Sequence, residues 1–197
     1  MSKTDFWINP SFEPKRQFRF LVELSLPDGN GGEQNVQYLA KSVDRPSYSI
    51  SSNEHQFFNH TFYYPGRVTW NSIDLTLVDP VSPNASQLLY NYLQTAGVQV
   101  PTSVSNATMS TITKATAVGA KTDIKILEIA TDRGSNESKI KGEWKLLNSF
   151  FTDVNFGSHS YDSEDMVEVS VTVQYDWAEY AVKNEKLRSW NSFINIF

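Results

Sequence analysis

MVEVSVTVQYD, the stretch from Met166 to Asp176, alternates without a break. Val167, Val169, Val171, Val173 and Tyr175 fall on one side, and Glu168, Ser170, Thr172 and Gln174 on the other. Successive side chains of an extended chain point to opposite faces, so a period of two reads as a strand with one face buried. Trp70–Val78 (WNSIDLTLV) repeats the pattern, with Ile73, Leu75 and Leu77 inward and Asp74 and Thr76 outward. Gln17–Leu26 (QFRFLVELSL) sets Phe18, Phe20, Val22 and Leu24 against Arg19 and Glu23.

Working outward from these strands, PDGNGGEQN (Pro27–Asn35) has the glycines and asparagines of a hairpin connection. Val36–Ile50 is extended and interrupted at Arg45-Pro46, because proline removes a ladder donor. Glu54–Tyr64 (EHQFFNHTFYY) reads as a third strand closed by Pro65-Gly66. Asp123–Ala130, Lys139–Leu147 and Phe150–Phe156 read as further strands, with a turn at Asp132–Glu137. The period changes only once with confidence. Leu88, Leu89, Tyr92 and Leu93 recur at helical spacing, Ser82-Pro83 offers an N-cap with proline at the first position, and Gly97 offers a stop, so a helix is predicted over about 83–97. Pro101–Ala120, rich in Ser, Thr and Ala, reads as part of a long loop over about 98–121. Trp177–Phe197 reads as a short helix or a docking arm. About eight strands with one helix, and no helices alternating between strands, favour an antiparallel sandwich or barrel.

The chain has 197 residues, 40% of them hydrophobic, which is enough for one domain with a substantial core. Its formal net charge of −5 gives no global attraction to phosphates. There is no cysteine, no apolar leader run at the N-terminus and no 18-residue apolar stretch. A protein made and used in a reducing cytoplasm is expected, without membrane insertion, and the sequons at Asn59, Asn84, Asn106 and Asn136 read as chance in that setting.

Motifs of catalysis are wanting. His55 and His60, five apart on one expected strand, point to opposite faces and are expected not to share a metal. Asp162, Glu164 and Asp165 lie in an acidic turn whose sixth and twelfth positions, Val167 and Val173, do not fit a calcium loop. Ser138 and Lys141 spell S-x-x-K on an expected strand, without its companion motifs. Gly29–Gly32 lacks the lysine of a phosphate loop. The five tryptophans lack a basic stripe and read as packing or contact residues, with a carbohydrate-binding β-sandwich as the less favoured alternative. No enzyme, metal or cofactor is expected.

In order, RFLVELSL, LAKSVDRPSYSISSNE, HQFFNHTFYYPGRVTW, PGRVTWNSIDLTLVDP, the helix SQLLYNYLQTA, the K-x-x-G-x-W segment in KIKGEWKLLNSFFTDVNFG and a last strand ending Q-Y-D-W resemble the tail-tube proteins of contractile-tailed phages, from Phe18 to Tyr180. That family is related to the tube proteins of contractile injection systems. The resemblance implies a small antiparallel barrel of two packed sheets with one flanking α-helix. It implies an N-terminal arm (1–16), a tube domain (17–180) and a C-terminal extension (181–197). It also implies a structural role. It further implies that six copies form a ring, that rings stack into the hollow inner tube of a virion tail, and that DNA passes through the lumen without specific binding. The partners it implies are the tail sheath, baseplate and tube-terminator proteins. A tube subunit of a non-phage injection particle delivering protein effectors is the alternative.

Aromatics stand where a solvated face would be charged. Tyr48, Phe57, Phe58, Phe62, Tyr63 and Tyr64, with His60, are the candidates for contact between subunits, unless they pack the domain's own core. The lumen of such a tube requires weak attraction to DNA, and by strand position Asp44, Glu54, Asp123, Glu128, Glu143 and Asp153 are the lumen-facing candidates.

Overall fold

A computed structural model describes residues 14–27, 33–35, 39–98, 112–131 and 138–186. Eleven strands run in it: β1 (Phe20–Glu23), β2 (Ser25–Pro27), β3 (Glu33–Asn35), β4 (Ala40–Val43), β5 (Tyr48–Phe57), β6 (His60–Trp70), β7 (Ile73–Val78), β8 (Thr122–Thr131), β9 (Ser138–Asn155), β10 (Glu168–Gln174) and β11 (Trp177–Lys186). All strand pairs are antiparallel, in the order β1-β8-β9-β10-β7-β4, with β11 added to β9. The two halves share β9, and β1 and β4 approach each other without pairing. The expected small barrel of two packed sheets is what the chain forms, left open at the seam between β1 and β4.

The alternating residues do what their period implies. Val169, Val171 and Val173 of β10, Ile73, Leu75 and Leu77 of β7, Ile124 and Ile126 of β8, and Val22 of β1 are all buried in one core. Each such side chain contributes roughly 1.5–3 kcal/mol on leaving water. Across β10 and β7 the register sets Val171 opposite Leu75 and Thr172 opposite Asp74. On that outer face the Thr172 hydroxyl donates to Asp74 Oδ1 at 2.8 Å. Phe18 departs from the expected inward set. It precedes β1 and lies exposed, because the ladder with β8 begins only at Phe20.

Strand β9 is one 18-residue element where two strands were expected. It bends at Asn148, which takes φ +56°, a left-handed conformation that asparagine tolerates better than most residues. The bend is held from both sides. Asn148 N–H donates to Asp123 Oδ1 at 3.1 Å, and its amide donates to Asp176 Oδ2 at 2.8 Å.

Helix α1 (Ala85–Thr95) starts two residues later than expected. Asn84 is the cap and accepts from Gln87 N–H at 2.7 Å. Asp79 adds a second cap, accepting from Ala85 N–H at 2.9 Å and from the Ser86 hydroxyl. Leu88, Leu89 and Tyr92 enter the core, where the Tyr92 ring packs at 4.5 Å, tilted by 57°, against Phe151. Gly97 ends the helix at φ +100°, as its position implied. The expected loop of 98–121 holds a second, short helix, α2 (Lys114–Gly119). The hydroxyl of Thr113 caps Thr116 N–H, and Thr116 returns the bond to Thr113 N–H. Residues 99–111 of that loop lie outside the described residues.

The C-terminal segment is corrected most. Trp177–Lys186 is neither helix nor arm but strand β11, paired along β9 from Trp177↔Leu147 to Lys186↔Lys139. Residues 1–13 and 187–197, most of the expected arms, lie outside the described residues. So does the tip of the glycine-rich turn, whose flanks pair as β2 and β3. No helix among the described residues is long and apolar enough to cross a membrane.

Candidate functional site

Strands β5 and β6 form a hairpin of their own, paired from Tyr48↔Trp70 to Phe57↔His60. The chain turns at Phe58-Asn59, not at Pro65-Gly66. The latter pair sits inside β6, where the register slips between Ile50 and Ser52. Gly66 lies against Ser51 there and its neighbour Arg67 donates N–H to Ser51 Oγ, so the glycine makes room for the bulge. Among the described residues the hairpin is anchored at its base. Trp70 packs edge-on to Tyr48 at 5.2 Å and leans on Tyr175 at 6.0 Å. Every residue of β5 is exposed.

Cross-strand partners share a face, so the register sorts the side chains. Asn53/Tyr64, His55/Phe62 and Phe57/His60 lie on one face, while Ser52/Pro65, Glu54/Tyr63 and Gln56/Thr61 lie on the other. Toward the tip the first face carries Phe57, Phe62 and Tyr64 with both histidines, and the second sets Tyr63 among Ser52, Glu54, Gln56 and Thr61; nearer the base Tyr48, Ile50, Val68 and Trp70 continue the second face. His55 and His60 therefore share a face, contrary to the reading of one continuous strand, because the turn lies between them. The aromatic candidates do not pack the domain's own core: Tyr48, Phe57, Phe58, Phe62, Tyr63 and Tyr64 are between 55% and 89% exposed. Phe58 at the tip is the most exposed of them and holds φ +52°, a conformation bulky residues avoid.

A second cluster closes one end of the barrel. Glu128 accepts from Lys15 Nζ, from Arg45 at 2.6 Å and from Tyr180 Oη at 3.1 Å. Burial pushes the Glu128 carboxyl up, but the Lys15 hydrogen bond and the charge of Arg45 outweigh it and hold the group below the usual carboxylate range. Trp144 packs against Tyr180 at 4.7 Å with the rings tilted by 48°. The glycine of K-x-x-G-x-W has its reason here. A Cβ on Gly142 would run into Tyr180 Oη and come within 2.6 Å of Glu128 Oε2.

The six lumen candidates do not share one surface. Asp123 and Glu143 lie on the outer face of the β1-β8-β9-β11 half, within a lattice of cross-strand ion pairs. That lattice runs Glu23–Lys125 at 3.5 Å, Asp123–Lys145 at 2.9 Å and Glu143–Lys183 at 3.6 Å. Partial burial pushes Asp123 up, and the Lys145 and Asn148 bonds more than reverse it, leaving its carboxyl lowered. Glu128 shares register parity with Ile126 on the opposite side and is taken up by the end cluster. Asp153 faces Thr172 on the other half of the barrel. Asp44 follows β4, and Glu54 stands on the second face of the hairpin.

Among the described residues no group of three or more His, Asp and Glu is placed to hold a metal ion. Trp70 and Trp144 pack against the core instead of forming a sugar platform.

No protein-family model and no curated protein matches this sequence. Solved structures do match. The sheath/tube terminator of the extracellular contractile injection system PVC superposes with a TM-score of 0.59 at 17% identity, over 87% of this chain and 99% of that one. The fold is that of contractile-system tube proteins. The tube-terminating cap of the anti-feeding prophage gives 0.58 at 18% identity, over 87% of this chain and 93% of that one. A chain of the PVC sheath–tube complex gives 0.55 at 18% identity, over 93% of this chain and 99% of that one. The tube fold accounts for the order of elements on which the sequence resemblance rested.

Proposed function

We propose that this chain is a structural, non-enzymatic subunit of the inner tube of a contractile phage tail, in which hexameric rings stack into a conduit for the genome. The observation that carries the reading is the free β5–β6 hairpin. A two-stranded sheet standing alone is marginal in water, and this one leaves two open edges and an aromatic face exposed. Pairing each hairpin with its neighbours' in a ring removes the edges and buries the aromatics. The opposite face, where Ser52, Glu54, Gln56 and Thr61 surround Tyr63, then faces the lumen. No Lys or Arg stands among these residues, so DNA has little to hold there.

On this reading Phe57, Phe58, Phe62, Tyr64 and His60 make the subunit contact, Tyr63 stands beside Glu54 toward the lumen, and Tyr48, on the parity of Glu54, packs with Trp70 at the hairpin base. Asp44, Asp123, Glu143 and Asp153 are lumen candidates of second rank, and Glu128 serves the end cluster. The sheath, baseplate and terminator proteins are the partners, and the virion tail is the site of action. The test is negative-stain microscopy of purified protein and of its F57D/F62D variant. Rings or tubes are expected for the first and none for the second.

A tube subunit of a non-phage injection particle is the second reading. It is favoured by the three neighbours given above, which come from PVC and the anti-feeding prophage. Particles purified with the tagged chain separate the two. A DNA-filled capsid supports the tail, and a sheathed particle without nucleic acid supports the injection device.

A further inference from the structure

Between β1 and β4, where the barrel does not close, lies a cavity of about 660 Å³. Its walls are strongly one-sided in charge. Six Lys and Arg side chains line it against two carboxylates, Asp44 and Glu128. Glu128 is taken up by Lys15 and Arg45, and Lys41 reaches out to Glu168. Arg16 and Arg19 carry no ion pair among the described residues, though Arg19 donates to the Thr131 hydroxyl at 3.3 Å. Among the described residues, the strand edges flanking the slot pair with no further strand on that side. The slot is built for an anionic, chain-like occupant.

Among the described residues, one exposed run has that chemistry. Residues 158–166 (SHSYDSEDM) belong to no helix or strand and are exposed throughout, with Tyr161 fully so. Asp162, Glu164 and Asp165 have no cation beside them among the described residues. Their polar contacts are local, such as the Ser163 hydroxyl donating to Asp165 Oδ2 at 2.8 Å. The loop does not enter the slot of its own chain.

We infer that the β1–β4 slot receives the acidic loop 158–166 of a second copy, with Arg16 and Arg19 taking its carboxylates. The contact joins two different surfaces, so it leaves a free loop on one copy and a free slot on the other and propagates. It rests on the tube reading in one respect. Stacked rings need a contact besides the hairpin, and this one supplies it.

A fluorescent peptide of residues 157–167, titrated with the full chain and read by anisotropy, tests the pairing. Saturable binding is expected, weakening about tenfold between about 0.05 M and about 0.5 M salt, since such pairs are screened. R16E/R19E is expected to weaken it about tenfold, and the D162N/E164Q/D165N peptide likewise to lose affinity. A D162K/E164K/D165K peptide should bind R16E/R19E better than it binds the parent, which guards against a merely misfolded variant. The inference is overturned if the peptide does not bind, if R16E/R19E leaves its affinity unchanged, or if duplex DNA displaces it with higher affinity. The same titration on the F57D/F62D chain separates the two ideas. Peptide binding there without rings upholds the slot and removes the hairpin's role in it. Tubes that form normally with D162N/E164Q/D165N, and with no peptide binding, sink the slot and leave the tube reading standing.

Discussion

Tyr180 Oη donates to Glu128 Oε2 at 3.1 Å, and that bond joins β11, the last strand, to β8 in the middle of the chain. Lys15, ahead of β1, donates to both residues, and Arg45, after β4, donates to Glu128. One carboxylate thus fastens the entrance of the chain, the seam and the final strand at one end of the barrel.

Glu128→Ala is expected to cost about 1 kcal/mol, because it removes the acceptor and leaves cations that water can reach. The pH dependence follows from the direction of the shift. Glu128 is held below its ordinary range in the folded chain, so its contribution is full above that range and is lost as pH falls through it. Urea unfolding at about pH 7 and about pH 3 should show a smaller difference for Glu128→Ala than for the parent.

Gly142→Ala is expected to destabilise by about 1–3 kcal/mol, since the new methyl group displaces a rigid tyrosine and the carboxylate together. Thermal unfolding checks the cost. In the double variant Gly142→Ala/Tyr180→Phe the cost should shrink, because the obstructing hydroxyl is gone.

Asp79→Ala removes the second cap of α1 and is expected to cost about 1 kcal/mol, read by urea denaturation. Asn84→Ala should cost a similar amount, and the pair should fall short of additive because both serve the same helix end.

How much of this was legible in the sequence differs by element. The core strands β7 and β10 were, because both alternate without interruption and one face of each is buried. Helix α1 and its Gly97 stop were, although Asn84 won the cap over Ser82. The hairpin turn was not. Phe58-Asn59 lacks the Asn-Gly chemistry that marks a two-residue turn, and Pro65-Gly66 has turn chemistry but sits in a bulge. Strand β11 was hidden because its exposed positions mix Trp177, Tyr180 and Val182 with charge, which blurs the period. Helix α2 was hidden because its cap uses Thr116 where the familiar box has Glu or Gln. The aromatic candidates were legible by type, and the register then gave each its face. The end cluster draws residues 15, 45, 128, 142 and 180 together, and only K-x-x-G-x-W hinted at it.

Glu54→Lys places a cation on the face proposed to line the lumen. It is expected to leave unfolding within about 0.5 kcal/mol of the parent, since Glu54 is exposed and on the rim of a hairpin. Assembled protein bearing it should retain DNA in filter binding at low salt, where the parent does not.

Phe58→Gly should relieve the left-handed backbone at the hairpin tip and leave the fold unharmed, by thermal unfolding. Assembly should weaken all the same, because the strained aromatic is retained for contact. Unaltered assembly would remove Phe58 from the interface.

The most direct measurement is electron microscopy of the purified chain at high concentration, alone and with F57D/F62D. The account predicts six-fold rings or stacked hollow tubes for the parent and folded, unassembled protein for the variant. A parent that stays monomeric at every concentration, or a variant that assembles as well as the parent, would contradict it.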